Sequence, residues 1–119
     1  MAQSLYERLG GSEGITRIAS ALVDNHMRNP LVAPRFANSD LPKVKKLAAE
    51  FFIAGSGGPA VYAGKDLVEA HQGMNISDNE FMAVIDDVMA ALTASGIGDQ
   101  EKAEVLFIFY SLRPQVVRI

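Results

Sequence analysis

Residues 62–77, YAGKDLVEAHQGMNIS (Tyr62 to Ser77), place one of the chain's two histidines in a helical segment barely two turns long. Gly64 breaks the chain before it and Gly73 after it, leaving room for one short helix between Asp66 and Gly73. On such a helix His71 shares a face with Leu67, four residues earlier, and with Met74, three later, so the imidazole looks into the apolar interior. An imidazole there needs a partner. Spacing leaves two readings open: a core histidine satisfied by a backbone carbonyl, or a metal ligand.

Working outward, the same reading yields helices everywhere. Ser4 to Leu9 makes a single turn closed by Gly10-Gly11, and Ser12 with Glu13 starts a segment whose Ile15, Ile18, Leu22 and His26 form one face. Asn29-Pro30 ends it, and Leu31 to Phe36 adds a short turn. Asp40 caps a helix over Leu41 to about Ala54, opened by Pro42, with Val44, Leu47, Ala48, Phe51 and Phe52 on its apolar face. Gly55-Ser-Gly-Gly-Pro59 then breaks the chain. Ser77-Asp-Asn-Glu80 has the form of a capping box and launches Phe81, Val84, Ile85, Val88, Met89 and Leu92 before Gly96 stops the pattern. Asp99 or Gln100 begins the last helix. Its run VLFIFYSL, Val105 to Leu112, is apolar nearly all round, which predicts a central helix, with Pro114 loosening its end. Four substantial helices and three short ones account for the chain without a strand, so the expected architecture is all-α in a single domain over residues 1–119.

Composition removes several functions. A net charge of -3 with scattered Lys and Arg gives no basic stripe for nucleic acid. The absence of Cys excludes disulfides, thiolate metal sites, iron–sulfur clusters and Cys nucleophiles together. No basic stretch followed by an apolar core opens the chain, and no apolar run approaches a membrane span, which predicts a soluble, cytoplasmic protein. Gly58 to Asp66 resembles a phosphate loop only at a glance. Pro59 stands where the motif needs Gly, and Asp66 where it needs Ser or Thr. Asp86 and Asp87 point about 100° apart on a helix and read as a solvated polar face. No Gly-x-Ser-x-Gly elbow supports a nucleophilic Ser.

His71 therefore stands alone. Zinc wants three or four protein ligands, and no second one is near it in the sequence. A ring-shaped cofactor that brings its own four nitrogens wants only one, the role of a proximal histidine in haem proteins.

At this point the chain resembles a truncated haemoglobin of the first group, the two-over-two version of the globin fold, from about Leu5 to Val117. The resemblance rests on LYERLGG (Leu5 to Gly11), Phe36, FFIAGSGGP (Phe51 to Pro59), YAGKDLVEAH (Tyr62 to His71) and the order of the final two helices. It implies haem b, with His71 as the proximal iron ligand and its other ring nitrogen donating to a carbonyl. It further implies that Phe36 packs on the distal edge of the ring, that Phe51 lines its periphery, and that Lys65 faces a propionate. Val44, Leu47, Tyr62, Ala70, Met74, Ile76, Phe81, Val84 and Val88 are the other haem contacts it suggests. Val23, Phe36, Val44, Leu47 and Ala48 would surround the ligand. His26 falls one turn beyond the distal position, which predicts a surface or helix-end place.

Members of this group usually carry Tyr on the second helix over the iron and Gln or His on the next. Here those positions read Val23, Val44 and Leu47. Dioxygen draws negative charge onto its outer atom when bound, and a distal hydrogen bond stabilises that charge; carbon monoxide and nitric oxide build up less. The expected function is reversible binding of these small gaseous ligands, oxygen transport included, with preference shifted away from oxygen. The enzymatic alternative is nitric oxide dioxygenation or another haem-redox reaction, which needs a cellular reductase as partner. A second alternative is a helical interaction module that never holds haem.

Overall fold

Six α-helices and two 3₁₀ turns organise the computed structural model, which describes residues 3–119. The expected domain also included residues 1 and 2, which lie outside the described residues. The helices are α1 (Leu5–Arg8), α2 (Gly11–Arg28), α3 (Leu41–Gly55), α4 (Leu67–His71), α5 (Asp78–Ala94) and α6 (Asp99–Ser111), with 3₁₀ turns at Ala33–Phe36 and Arg113–Gln115. Short elements thus number four rather than three, because the chain after Ser111 forms a turn of its own.

The caps expected at Asp40 and Ser77 are present, and Ser4 and Asp66, expected only as bounds of their segments, cap as well. Side-chain oxygens of Ser4, Asp40, Asp66 and Ser77 accept the backbone N–H of the residue three ahead and start α1, α3, α4 and α5. At Ser77 the box is reciprocal, since Glu80 reaches back to the Ser77 N–H at 3.1 Å. α2 begins one residue earlier than expected, at Gly11, with Gly10 in a left-handed conformation at φ 101° before it.

Two helix pairs stack. α2 packs on α3, α5 packs on α6, and α2 crosses α5 to join the pairs. The shared core holds Ile15, Ile18 and Leu22 of α2 against Phe52 of α3, Val88 and Leu92 of α5, and Val105 of α6. Each such side chain contributes about 1.5 to 3 kcal/mol by leaving water, so this seam holds the fold together. A second cluster of Ile76, Phe81, Ile85 and Val116 sits at the other end of α5.

α6 corrects one expectation. Val105 is buried, but Leu106 is 39%, Phe107 75% and Tyr110 54% exposed. Among the described residues it packs on α5, α1 and the 3₁₀ turn at Arg113–Gln115, and these leave Leu106, Phe107 and Tyr110 outward. All-round apolarity was read as centrality, yet a helix without an apolar stripe carries no period that says which side turns inward.

The end of the chain fastens the loop that follows α4. Gly73 and Asn75 N–H groups donate to the Ile119 carbonyl at 3.2 and 3.1 Å, and Arg118 N–H donates to the Ile76 carbonyl at 2.9 Å. The single Ile76–Val117 bridge is the one trace of β pairing among the described residues. None of the described helices is long and apolar enough to cross a membrane.

Candidate functional site

α4 is five residues long and has no fully buried residue, yet it places His71 against an apolar cleft. Asp66 caps it at Glu69 N–H, 2.8 Å. Gly73 turns the chain at its end with φ 85°, a conformation that L side chains rarely adopt. Gly64 serves differently: a Cβ there would lie 2.5 Å from the Tyr62 hydroxyl. That hydroxyl needs the space, because it donates to the Lys65 carbonyl at 2.6 Å. The Tyr62 ring meets Phe51 edge to face, centroids 5.5 Å apart, which ties the segment before α4 to α3. Burial pushes the Tyr62 phenol pKa upward, with Asp66 and Glu50 adding to the shift.

His71 Nδ1 donates to the Leu67 carbonyl at 2.8 Å. A carbonyl can only accept, so Nδ1 carries a proton, and in the neutral ring the lone pair is on Nε2. The ring lines a partly open cleft. Phe36, Phe51, Leu67, Met74, Phe81 and Val84 form much of its wall, and Phe109, Leu112 and Val116 close the far end. Among the described residues no group of three or more His, Asp or Glu side chains could hold a bare metal ion.

A family model described as bacterial-like globin matches residues 4–117. The group 1 truncated haemoglobin of Tetrahymena pyriformis is 32% identical over 107 residues, 87% of this chain and 88% of that protein. This chain belongs to the group 1 truncated haemoglobins. The group 1 protein of Mycolicibacterium paratuberculosis is 28% identical over 95% of this chain and 83% of its own length. The ferric crystal structure of Tetrahymena pyriformis truncated haemoglobin matches this fold with a TM-score of 0.94 at 28% identity, covering 98% of this chain and 100% of that one. The all-helical truncated globin fold is thereby established, and membership implies a haem globin.

The residues present fit such a group. The macrocycle occupies four iron positions itself, so one imidazole with a free Nε2 completes the protein's share, and an apolar cleft suits its flat faces.

Of the site residues expected from the sequence, Phe36, Phe51, His71, Met74, Ile76, Phe81 and Val84 come together on the cleft wall. Val44, Leu47 and Ala48 are half-buried on α3, at helical spacing from Phe51, without being part of that wall. Tyr62 packs behind Phe51, and Lys65 and Ala70 are exposed. Val23 and Val88 sit in the interior at 2% and 0% exposure. Phe36 and Phe51 are half-buried, because the cleft they line is partly open. His26 was expected at the surface or at a helix end; it lies in the last turn of α2 but is buried, bonded to Asp87. Asp87 is likewise buried while Asp86 is exposed, so only one of the pair faces solvent. Their angular separation on α5 sends one carboxylate toward α2 and the other outward.

Sequence reasoning missed Val32, Arg35, Glu80, Phe109, Leu112 and Val116 on the wall. Phe109 and Leu112 are three apart at the end of α6, a spacing masked by the unbroken apolar run around them. Arg35 and Glu80 are the charged members. Arg35 Nε and Nη2 meet the two Glu80 oxygens at 2.6 and 3.0 Å, and Nη1 donates to the Met74 carbonyl at 3.1 Å. One guanidinium thus links the turn carrying Phe36, the start of α5 and the loop after His71. Arg35, then the Ser77 backbone N–H, holds the Glu80 pKa down to about 2 from its ordinary 4.5. The depressed value means that the pair's contribution is complete above pH 4.5 and disappears as pH falls through about 2. Melting temperatures of native protein and Glu80→Gln, followed from pH 7 downward, are expected to differ at neutral pH and to converge near pH 2; a gap that persists there contradicts the pairing.

Proposed function

We propose that this chain holds haem b in the cleft through His71 Nε2 and reversibly binds small diatomic ligands, with preference shifted from oxygen toward carbon monoxide and nitric oxide. The observation that carries the reading is the Nδ1 bond to Leu67, which leaves the imidazole's one free lone pair on Nε2 in a ring that lines an apolar cleft. When bound, haem supplies an iron to which a diatomic molecule attaches reversibly.

The chain's own residues do the rest. Phe36, Phe51, Met74, Phe81 and Val84 bury the flat faces of the ring and exclude water, while exposed Lys65 meets a propionate at the rim. The Leu67 carbonyl fixes the tautomer and orientation of His71 and raises its basicity as a ligand. Val23, Val44, Leu47 and Ala48, which this reading sets around the gaseous ligand, carry no side-chain hydrogen-bond donor. A hydrogen bond to a ligand that accumulates negative charge is worth roughly 1 to 2 kcal/mol. Oxygen receives no such help from these four side chains, and the less polarised gases lose little by its absence.

Titrating the haem-free protein with hemin is expected to give a sharp Soret band saturating at one equivalent, and His71→Ala to lose it. A native protein without the band, or an Ala variant that keeps it, contradicts the reading. For selectivity, Val23→Tyr is expected to raise oxygen affinity relative to carbon monoxide by about tenfold, the equivalent of one good hydrogen bond. Unchanged relative affinities contradict the placement of Val23 over the iron.

A further inference from the structure

The buried polar cluster at the end of α2 has no part in the site as described so far. His26 is 6% exposed and Asp87 9%. His26 Nδ1 donates to Asp87 Oδ2 at 2.7 Å. Asn29 Nδ2 lies 3.2 Å from each oxygen of the same carboxylate, and Asn25 Nδ2 donates to the Asp87 backbone carbonyl at 3.2 Å. The Asn29 side-chain oxygen is occupied too, accepting the Leu31 N–H at 3.1 Å. The carboxylate is therefore held in one orientation, and it in turn fixes the plane of the imidazole.

Phe36 lies on that plane. The two ring centroids are 5.7 Å apart and the planes differ by 7°. At that separation the parallel rings are offset and meet near their edges, so tilting the imidazole changes the surface against which Phe36 packs. Phe36 also lines the cleft that holds His71. The chain from imidazole to cleft wall is thus one contact long. An apolar pair of similar volume would close the end of α2 without desolvating a carboxylate, so stability alone is a poor reason for a buried His and Asp. Orientation is a better one.

We propose that His26 is a positioning residue for ligand binding: Asp87 fixes its ring, the ring fixes Phe36, and Phe36 sets the room left for a gaseous ligand in the cleft. The inference rests on the haem reading above, and its test separates the two. Carbon monoxide association is measured by flash photolysis on haem-loaded native protein, Asp87→Asn, Phe36→Leu and the double variant. Asp87→Asn keeps the shape of the side chain but removes the charge and one of the two acceptor oxygens that His26 and Asn29 share, which weakens the hold on the imidazole plane. The substitution is expected to change the association rate at least about threefold when Phe36 is present and less than about 1.5-fold when it is replaced by Leu. Equal factors in both backgrounds, or no change in either, overturn the proposal, because a merely stabilising pair acts independently of Phe36. His26→Gln retains a donor for Asp87 but removes the ring, and is expected to change the rate in the Phe36 background by a similar factor; a native rate overturns the proposal even if Asp87→Asn does not fold. In the native protein, nitrogen NMR is expected to find His26 with its proton on Nδ1, and the opposite tautomer overturns the orientation argument. A native protein with no Soret band marks failure of the haem reading, whereas an intact band with uncoupled rates marks failure of this inference alone.

Discussion

The hydrogen bond from His71 Nδ1 to the Leu67 carbonyl decides what this molecule offers a metal. It spans four residues and closes within a helix of five, so the imidazole is oriented by nothing but its own turn. α4 lacks a fully buried residue, and its place depends on what ties down its flanks. Before it, Tyr62 hangs on Phe51 of α3; after it, the last residues of the chain and Arg35 hold the loop over residues 73–76 by backbone carbonyls and N–H groups. The large apolar seam between α2, α3 and α5 is the frame on which these small ties act. Stability resides in the seam and the site in the ties, which is why a five-residue helix presents His71 without carrying the fold.

The two sides of the cleft are built from different chemistry. The His71 side is polar only where the backbone makes it so, at the Leu67 and Met74 carbonyls. On the other side Phe36, beside the charged Arg35, stands on a buried polar layer of His26, Asp87 and Asn29. Arg35, next to Phe36 in sequence, reaches from that side to the loop after His71 and joins them. A displacement on either side is thereby felt on the other through one guanidinium.

Much of this was legible in the residues. Caps at Asp40 and Ser77 announced two helix starts because each rests on a local rule, an oxygen that accepts an N–H three residues on, whereas Ser12 was read as a start and α2 begins at Gly11. His71 was legible as an inward imidazole because Leu67 and Met74 shared its face, and the carbonyl partner expected for it is the one observed. What failed were places decided by tertiary neighbours. The outward face of α6 was unreadable because Val105 to Tyr110 offer no polar residue to mark it. His26 was expected at the surface or a helix end and Asp87, with Asp86, on a solvated face; only the packing of α2 on α5 makes His26 and Asp87 a buried pair. Arg35 and Glu80, 45 residues apart, escaped for the same reason.

The central claim is that a single imidazole, that of His71, is the chain's ligand to haem iron. Resonance Raman spectra of the ferrous, ligand-free holoprotein test it most directly. An iron–imidazole stretching band is expected that shifts when the histidine ring nitrogens are isotopically labelled, disappears in His71→Gly, and returns when free imidazole is added to that variant. A band that persists in His71→Gly without added imidazole, or that never shifts on labelling, contradicts the account.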